Sequence, residues 1–131
     1  MKRLAIDVRP GDYAVVRLPA DAPVPAELFE PGEAFVSVTR TPQELSVICP
    51  AGREPAGSTA AEDGWRLLSV RGPLEFTLTG IIAALASELA AAGVALFSMS
   101  TFDTDHILVR ATDLEHAVTA LRESGHEVGH A

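Results

Sequence analysis

Cysteine is nearly absent from this chain of 131 residues: Cys49 stands alone, which excludes an internal disulfide and fits a reducing, cytoplasmic setting. Basic residues are also scarce. Ten Lys and Arg stand against 18 Asp and Glu, a formal net charge of −8 with no basic cluster, so neither nucleic acid nor an anionic membrane is an expected partner. No apolar run is long enough to span a bilayer. The densest, Ile81 to Phe97, is broken by Ser87, Glu88 and Gly93, and the N-terminus opens into a strand-like segment instead of a signal-peptide core. There is no phosphate-cradling glycine loop, Gly-x-Ser-x-Gly elbow, cysteine pair or His-Glu-x-x-His signature, so no enzyme activity, cofactor or metal centre is expected. What is present is 47% hydrophobic content and a mean hydropathy of +0.21, enough for one ordinary core or two small units.

The clearest pattern is a hairpin, two apolar strands from Val94 to Arg110 joined by the polar turn Thr101-Phe-Asp-Thr-Asp105. The strongest helix leads into it. That helix reads from Thr79 as N-cap through Ile81, Ile82, Leu85 and Leu89 to Gly93 as its closing residue. Further on, Thr112-Asp-Leu-Glu115 has the form of a capping box, and Leu114, Ala117, Val118 and Leu121 recur at helical spacing until Ser124-Gly125. His126-Glu-Val128 reads as a last edge strand, and the pair His126 and His130 as part of a solvated tail. His106 and His116 read as surface residues, and Cys49 as a small buried hydrophobe.

In the first half, Leu4–Val8 and Tyr13–Leu18 read as strands of a hairpin turned by Pro10-Gly11, and Ala34–Thr39 with Glu44–Cys49 as a second. Between them lies a proline-rich connection with a single helical turn at Ala26–Phe29. A short helix around Ser58–Glu62 is a further reading, and Trp65–Arg71 is a strand. From Trp65 the order strand, helix, strand, strand, helix, strand is the ferredoxin-like split βαβ arrangement. Sliding Phe35–Ile48 forward by 61 positions lays it over Leu96–Val109 and sets Glu44 against Asp105, which suggests an internal duplication.

Trp65-Arg-Leu-Leu-Ser-Val-Arg-Gly-Pro-Leu-Glu-Phe-Thr-Leu-Thr-Gly-Ile81 with Phe97–Val109, and Ser37–Val47 before them, resemble the small tandem ACT-domain proteins of bacteria, related to the ACT modules of the CASTOR arginine sensors. The resemblance implies an α+β fold of two ACT-like units packed together, residues 1–63 with reduced helices and residues 64–131, each an antiparallel sheet with its helices on one face. It implies a non-catalytic regulatory module that binds an amino acid at an interface between ACT units, forms a homodimer and signals through a protein partner. By likeness, Leu78, Thr79, Gly80 and Ile81 at the helix start and Thr101, Phe102, Asp103, Thr104 and Asp105 in the turn face the ligand. Glu75 replaces an aspartate common in relatives, so arginine is not carried over as the ligand.

The chemistry of such a site follows from its residue types. A helix start presents unpaired N–H groups and a partial positive charge, and Gly80 leaves room for a carboxylate there. Asp103 or Asp105 suits the ammonium, with Thr101 and Thr104 as neutral polar contacts and Phe102 as an apolar wall. Asp105 is the preferred carboxylate because Glu44 stands opposite it in the 61-residue alignment. The plainer alternative is ordinary turn chemistry, since Asp and Thr are common hairpin residues. A purely structural homo-oligomerisation module is the competing function.

Overall fold

The computed structural model describes residues 3–74 and 80–131. Its strands are β1 (Ala5–Val8), β2 (Tyr13–Leu18), β3 (Ser37–Arg40), β4 (Leu45–Pro50), β5 (Ala60–Val70), β6 (Leu96–Ser100), β7 (Asp105–Arg110) and β8 (Glu127–His130); its α-helices are α1 (Ile81–Ala91) and α2 (Leu114–Glu123). They form two compact units. One spans Gly11–Trp65; the other joins the residues up to Pro10 to those from Arg66 onward. The fold is α+β with ferredoxin-type topology.

The larger unit pairs its strands in the order β6-β7-β5-β1-β8. Chain order from β5 is the split βαβ pattern, with β1 inserted between the first and last strands. β1 runs antiparallel to β5, with Ile6 opposite Val70, and parallel to β8, with Ile6 opposite Val128. This corrects the expected β1–β2 hairpin. The residues permit it because Leu4, Ile6 and Val8 are buried on one face, while Asp7 between them bonds Arg71 at 2.6 Å. Ile81, Leu85 and Leu89 of α1 and Ala117, Val118 and Leu121 of α2 share one core with Leu68, Val70, Ile107, Val109 and Val128. Both helices therefore cover the same sheet face.

Each helix ends as its glycine suggested. Val94 and Gly93 donate N–H groups to the Leu89 and Ala90 carbonyls at 2.9 Å each, and His126 and Gly125 do the same to Leu121 and Arg122 at 3.1 and 3.0 Å, so both termini are Schellman motifs. The starts differ from expectation. The capping box does not form: a 3-10 turn over Ala111–Asp113 leads into α2, and its cap makes no side-chain hydrogen bond. Thr79, the expected cap of α1, lies outside the described residues.

The smaller unit orders its strands β3-β4-β2 and then the first half of β5, the same 2-3-1-4 sequence that defines a ferredoxin-like sheet. Its helices are reduced, as expected: a 3-10 turn at Ala26–Phe29 stands in the first helix position. The short helix expected around Ser58–Glu62 is absent; β5 begins at Ala60 and pairs with β2 there. Without helices, arginines fasten the connections. Arg40 donates to the carbonyls of Ala20 and Ala22, and Arg53 to that of Glu27 at 3.2 Å. Cys49 is fully buried beside Ala14, Val16, Leu28 and Val47, and burial pushes its thiol pKa up, as suits a packing residue.

Candidate functional site

The β6–β7 hairpin closes through a two-residue turn, Phe102-Asp103. Thr101 N–H donates to the Thr104 carbonyl at 2.9 Å and the Thr101 hydroxyl to the same oxygen at 3.1 Å. Thr104 Oγ1 in turn donates to the Val70 carbonyl at 2.7 Å, and Leu74 N–H to the Asp103 carbonyl at 2.6 Å. The turn is thus bolted to the end of β5 and to the segment after it. A Cβ on Gly72 would lie 2.9 Å from the Asp103 oxygen and 3.0 Å from Thr104 Cβ, so only glycine admits this approach.

That closure brings the turn beside the start of α1. A cleft of about 280 Å³ separates Gly80, Ile81 and Ile82 from Ser100–Asp105, with Leu74 at its end. Gly80 has φ +79° and no side chain to cap the helix, which leaves first-turn N–H groups to meet whatever occupies the cleft. Opposite them, Ser100 Oγ donates to Asp105 Oδ1 at 2.6 Å and fixes the half-buried carboxylate, while Asp103 is exposed. The structure therefore gathers seven of the nine expected residues around one cleft: Gly80, Ile81 and Thr101 to Asp105. Leu78 and Thr79 lie outside the described residues. Phe102 is 80% exposed, a rim residue more than a wall.

Sequence reasoning missed Ser100, Ile82 and Leu74. Ser100 was readable, since it pairs directly with Asp105 across the hairpin. Leu74 reaches the cleft through long-range folding that no local signal encodes.

The hairpin of the first half is closed in the same way: Thr41 N–H donates to the Glu44 carbonyl at 2.9 Å and Thr41 Oγ1 to it at 3.4 Å. Cross-strand pairs run Ser37–Ile48 to Arg40–Leu45 there and Phe97–Leu108 to Ser100–Asp105 here, so the two hairpins correspond at an offset of 60. The offset of 61 is one residue out of register. Glu44 matches Thr104 and Leu45 matches Asp105, which removes the comparison that first favoured Asp105.

Two of the four histidines, His126 and His106, are more embedded than expected, whereas His116 is exposed on its helix as expected. His126 is buried: Leu4 N–H donates to its Nδ1 at 3.1 Å, which leaves Nε2–H to donate to Glu88 Oε1 at 2.8 Å. It is a core tie between β1, α1 and the start of β8, which overturns the solvated reading for His126, while His130 is exposed. His116 donates to the Ala92 carbonyl at 2.7 Å, capping the end of α1. His106 sits on the sheet face away from the helices, its Nδ1 2.8 Å from Ser69 Oγ. Burial, with Arg9 adding to it, holds its pKa below the usual 6.5, against a smaller pull from Asp105.

A stability slope follows from His106. Below about pH 6.5 the unfolded chain takes up this proton before the folded one, so stability present above that value is lost as pH falls through it. Denaturant titrations from pH 7 to pH 5 are expected to show unfolding free energy falling with pH, and falling less steeply in His106→Gln.

Among the described residues, no cluster of His, Cys, Asp and Glu is arranged to hold a metal ion, and no helix is long and apolar enough to cross a membrane.

Comparison with known proteins bears on the same region. A family model for the ACT domain matches residues 60–123, and a second model, for an N-terminal domain, matches residues 11–56. The crystal structure of protein Atu0741 from Agobacterium tumefaciens is 37% identical, over 100% of this chain and 96% of that one, with a TM-score of 0.88. A Vibrio cholerae protein of unknown function, called a possible transport protein, is 25% identical over 92% of this chain and 88% of its own, with a TM-score of 0.63. The ligand-free regulatory subunit of aspartate kinase from Thermus thermophilus shares the fold at 14% identity, with a TM-score of 0.64 over 95% of this chain and 98% of that one.

Proposed function

We propose that this chain, whose residues 60–123 match the ACT-domain model, is a regulatory, non-catalytic module that binds a free amino acid in the cleft between α1 and the β6–β7 turn. The observation that carries the reading is the pairing of opposite chemistries across that cleft. Helix N–H groups at Gly80–Ile82 suit an α-carboxylate, and Asp105, steered by Ser100, suits an α-ammonium. The volume is just below the roughly 300–1,000 Å³ usual for small-ligand clefts. Leu78 and Thr79 belong to the same proposal as the residues leading into α1.

In this reading the chain carries two successive ACT-like copies that meet within β5, in a tandem arrangement akin to the CASTOR modules, with β1 added to the sheet of the second. The 2-3-1-4 strand order of the smaller unit, repeated in the larger one apart from the inserted β1, and the 60-residue hairpin correspondence support it. A homodimer in the cytoplasm passes the occupied state to a protein partner, since a module without catalysis acts through another protein.

The test is thermal unfolding in a panel of the common amino acids. A selective rise is expected, because ligand at about a hundred times its dissociation constant adds roughly 2.7 kcal/mol, on the order of 10 °C for a chain of this size. Asp105→Ala is expected to abolish the rise while changing unliganded stability by less than about 1 kcal/mol, as a turn-side carboxylate contributes little to folding. A flat panel at millimolar ligand would leave structural assembly as the function.

A further inference from the structure

The smaller unit has little helix to cover its sheet, and two adjoining clefts lie among the connections that stand in for helices. The first, about 500 Å³, is lined by the buried Leu18 and Leu28, by Pro19, Pro23 and Pro25 of the β2–β3 connection, and by Pro55 of the loop after β4. Proline has no N–H to offer, and the backbone beside these prolines is already committed. Ala22 and Leu28 N–H groups donate to the Pro19 and Pro25 carbonyls at 3.0 and 3.1 Å, and Arg40 donates to the carbonyls of Ala20 and Ala22. What enters this slot must therefore be apolar. Stiff proline walls also lose little freedom when it is filled.

The second cleft, about 510 Å³, shares Leu28 and Arg53 with the first and continues along Phe29 and Glu30 toward Val36. Phe29 beside it is 63% exposed. The surroundings are acidic: from Leu18 to Thr39 the chain carries Asp21, Glu27, Glu30 and Glu33 and no Lys or Arg, half of its net charge of −8. Among the described residues that line either cleft, Arg53 is the one cation. Its Nη2 donates to the Glu27 carbonyl at 3.2 Å, which holds the guanidinium where the two clefts join.

We infer that the two clefts together dock an extended segment of a partner protein, one that carries a bulky apolar side chain flanked by Lys or Arg. A compact metabolite fills one cleft and leaves the other open. An extended chain, advancing about 3.3 Å per residue, seats its apolar side chain in the proline slot and carries its cations over Glu27 and Glu30. The guanidinium N–H groups of Arg53 that Glu27 does not use are donors for the carbonyls of such a segment. Its single charge is outnumbered by Glu27, Glu30 and Glu54 around it, so the surface as a whole attracts a basic partner and speeds its arrival. A second copy of this chain, itself at −8, is repelled from the same place. The inference rests on the reading that the module acts through a protein partner, and not on the amino-acid cleft at α1.

Fluorescence anisotropy of the full chain with labelled peptides tests this. The probe is a tryptophan between pairs of lysines in a Gly-Ser frame; one control has alanine for the tryptophan, the other glutamate for the lysines. The probe is expected to bind about 10-fold or more tighter than either control at low salt. Ala56→Trp, at an exposed position on the slot, fills it, and Glu27→Lys combined with Glu30→Lys reverses the charge. Each variant is expected to weaken probe binding by about 10-fold or more with an unchanged far-UV circular dichroism spectrum. Asp105→Ala, which disables the amino-acid cleft, is expected to bind the probe as the wild type does, so the two sites succeed or fail separately. Equal binding of the probe and its alanine control overturns the inference, as does wild-type binding by Ala56→Trp or by the charge-reversed variant. No binding at millimolar probe also overturns it. Displacement of the probe by an equal concentration of free tryptophan would assign the slot to a metabolite, and a wild-type dimer that Ala56→Trp dissociates would assign it to a second copy; either result overturns the inference as well.

Discussion

Replacing His126 with alanine is expected to cost about 2–4 kcal/mol, a fall of roughly 10 °C in Tm, the largest single effect outside the aliphatic core. The ring does more than fill space. Its Nδ1 accepts the Leu4 N–H and its Nε2–H bonds Glu88, so alanine leaves a buried backbone donor unsatisfied beside a vacated volume. β1 has only four residues, and this bond precedes its first ladder pairs with β8. Its attachment is therefore expected to loosen first, seen as faster amide exchange at Ile6 and Val8 than in the helices. His126→Asn separates the contributions, because its side-chain oxygen reaches the place of Nδ1 but nothing reaches Glu88. It is expected to recover at least half of the loss; equal loss in both variants would show that the Leu4 bond matters little.

A second large effect is expected at Gly72. Alanine there brings Cβ to 2.9 Å from the Asp103 carbonyl oxygen, and that oxygen is already held by Leu74 N–H at 2.6 Å. Neither side can yield cheaply, so the turn must shift. Overpacking of this kind costs about 1–3 kcal/mol, and here it also displaces Asp103, Thr104 and Asp105 from α1. Gly72→Ala is expected to lose both stability and the amino-acid response of the cleft.

Gly80 provides the contrast. Its φ is +79° but nothing lies within 4 Å of a Cβ placed there, so alanine costs only about 1 kcal/mol of backbone strain, and asparagine, which tolerates that conformation, should cost less. At Gly72 asparagine should be worse than alanine. Opposite orders at the two glycines, read by thermal unfolding, distinguish a steric requirement from a conformational one; the same order at both would contradict the close approach.

Much of the cleft was legible because its parts are local. Thr101 to Asp105 announce a turn between two apolar strands, and Gly80 precedes a helix whose apolar residues recur every third or fourth position. Each element forms largely from its own residues, so pattern alone places it. The likeness of the two hairpins was legible as well, although the sequence comparison chose an offset of 61 where strand pairing requires 60. Residue similarity does not weigh register, whereas a one-residue slip turns every side chain to the opposite face.

By itself the sequence determined the alternation of strands and helices from Trp65, the glycine-closed ends of α1 and α2, the reduction of the β2–β3 connection to a single helical turn, and the residue types that meet in the cleft. Only the tertiary structure decided which strand neighbours which. The period-two pattern of Leu4, Ile6 and Val8 says that one face is buried, yet it is equally satisfied by β2 as hairpin mate or by β5 and β8 as flanking strands. Choosing between them depends on summed contacts far apart in sequence. The same non-local packing turned His126 from a tail residue into a core tie and set Asp105 beside Ser100 and opposite the start of α1.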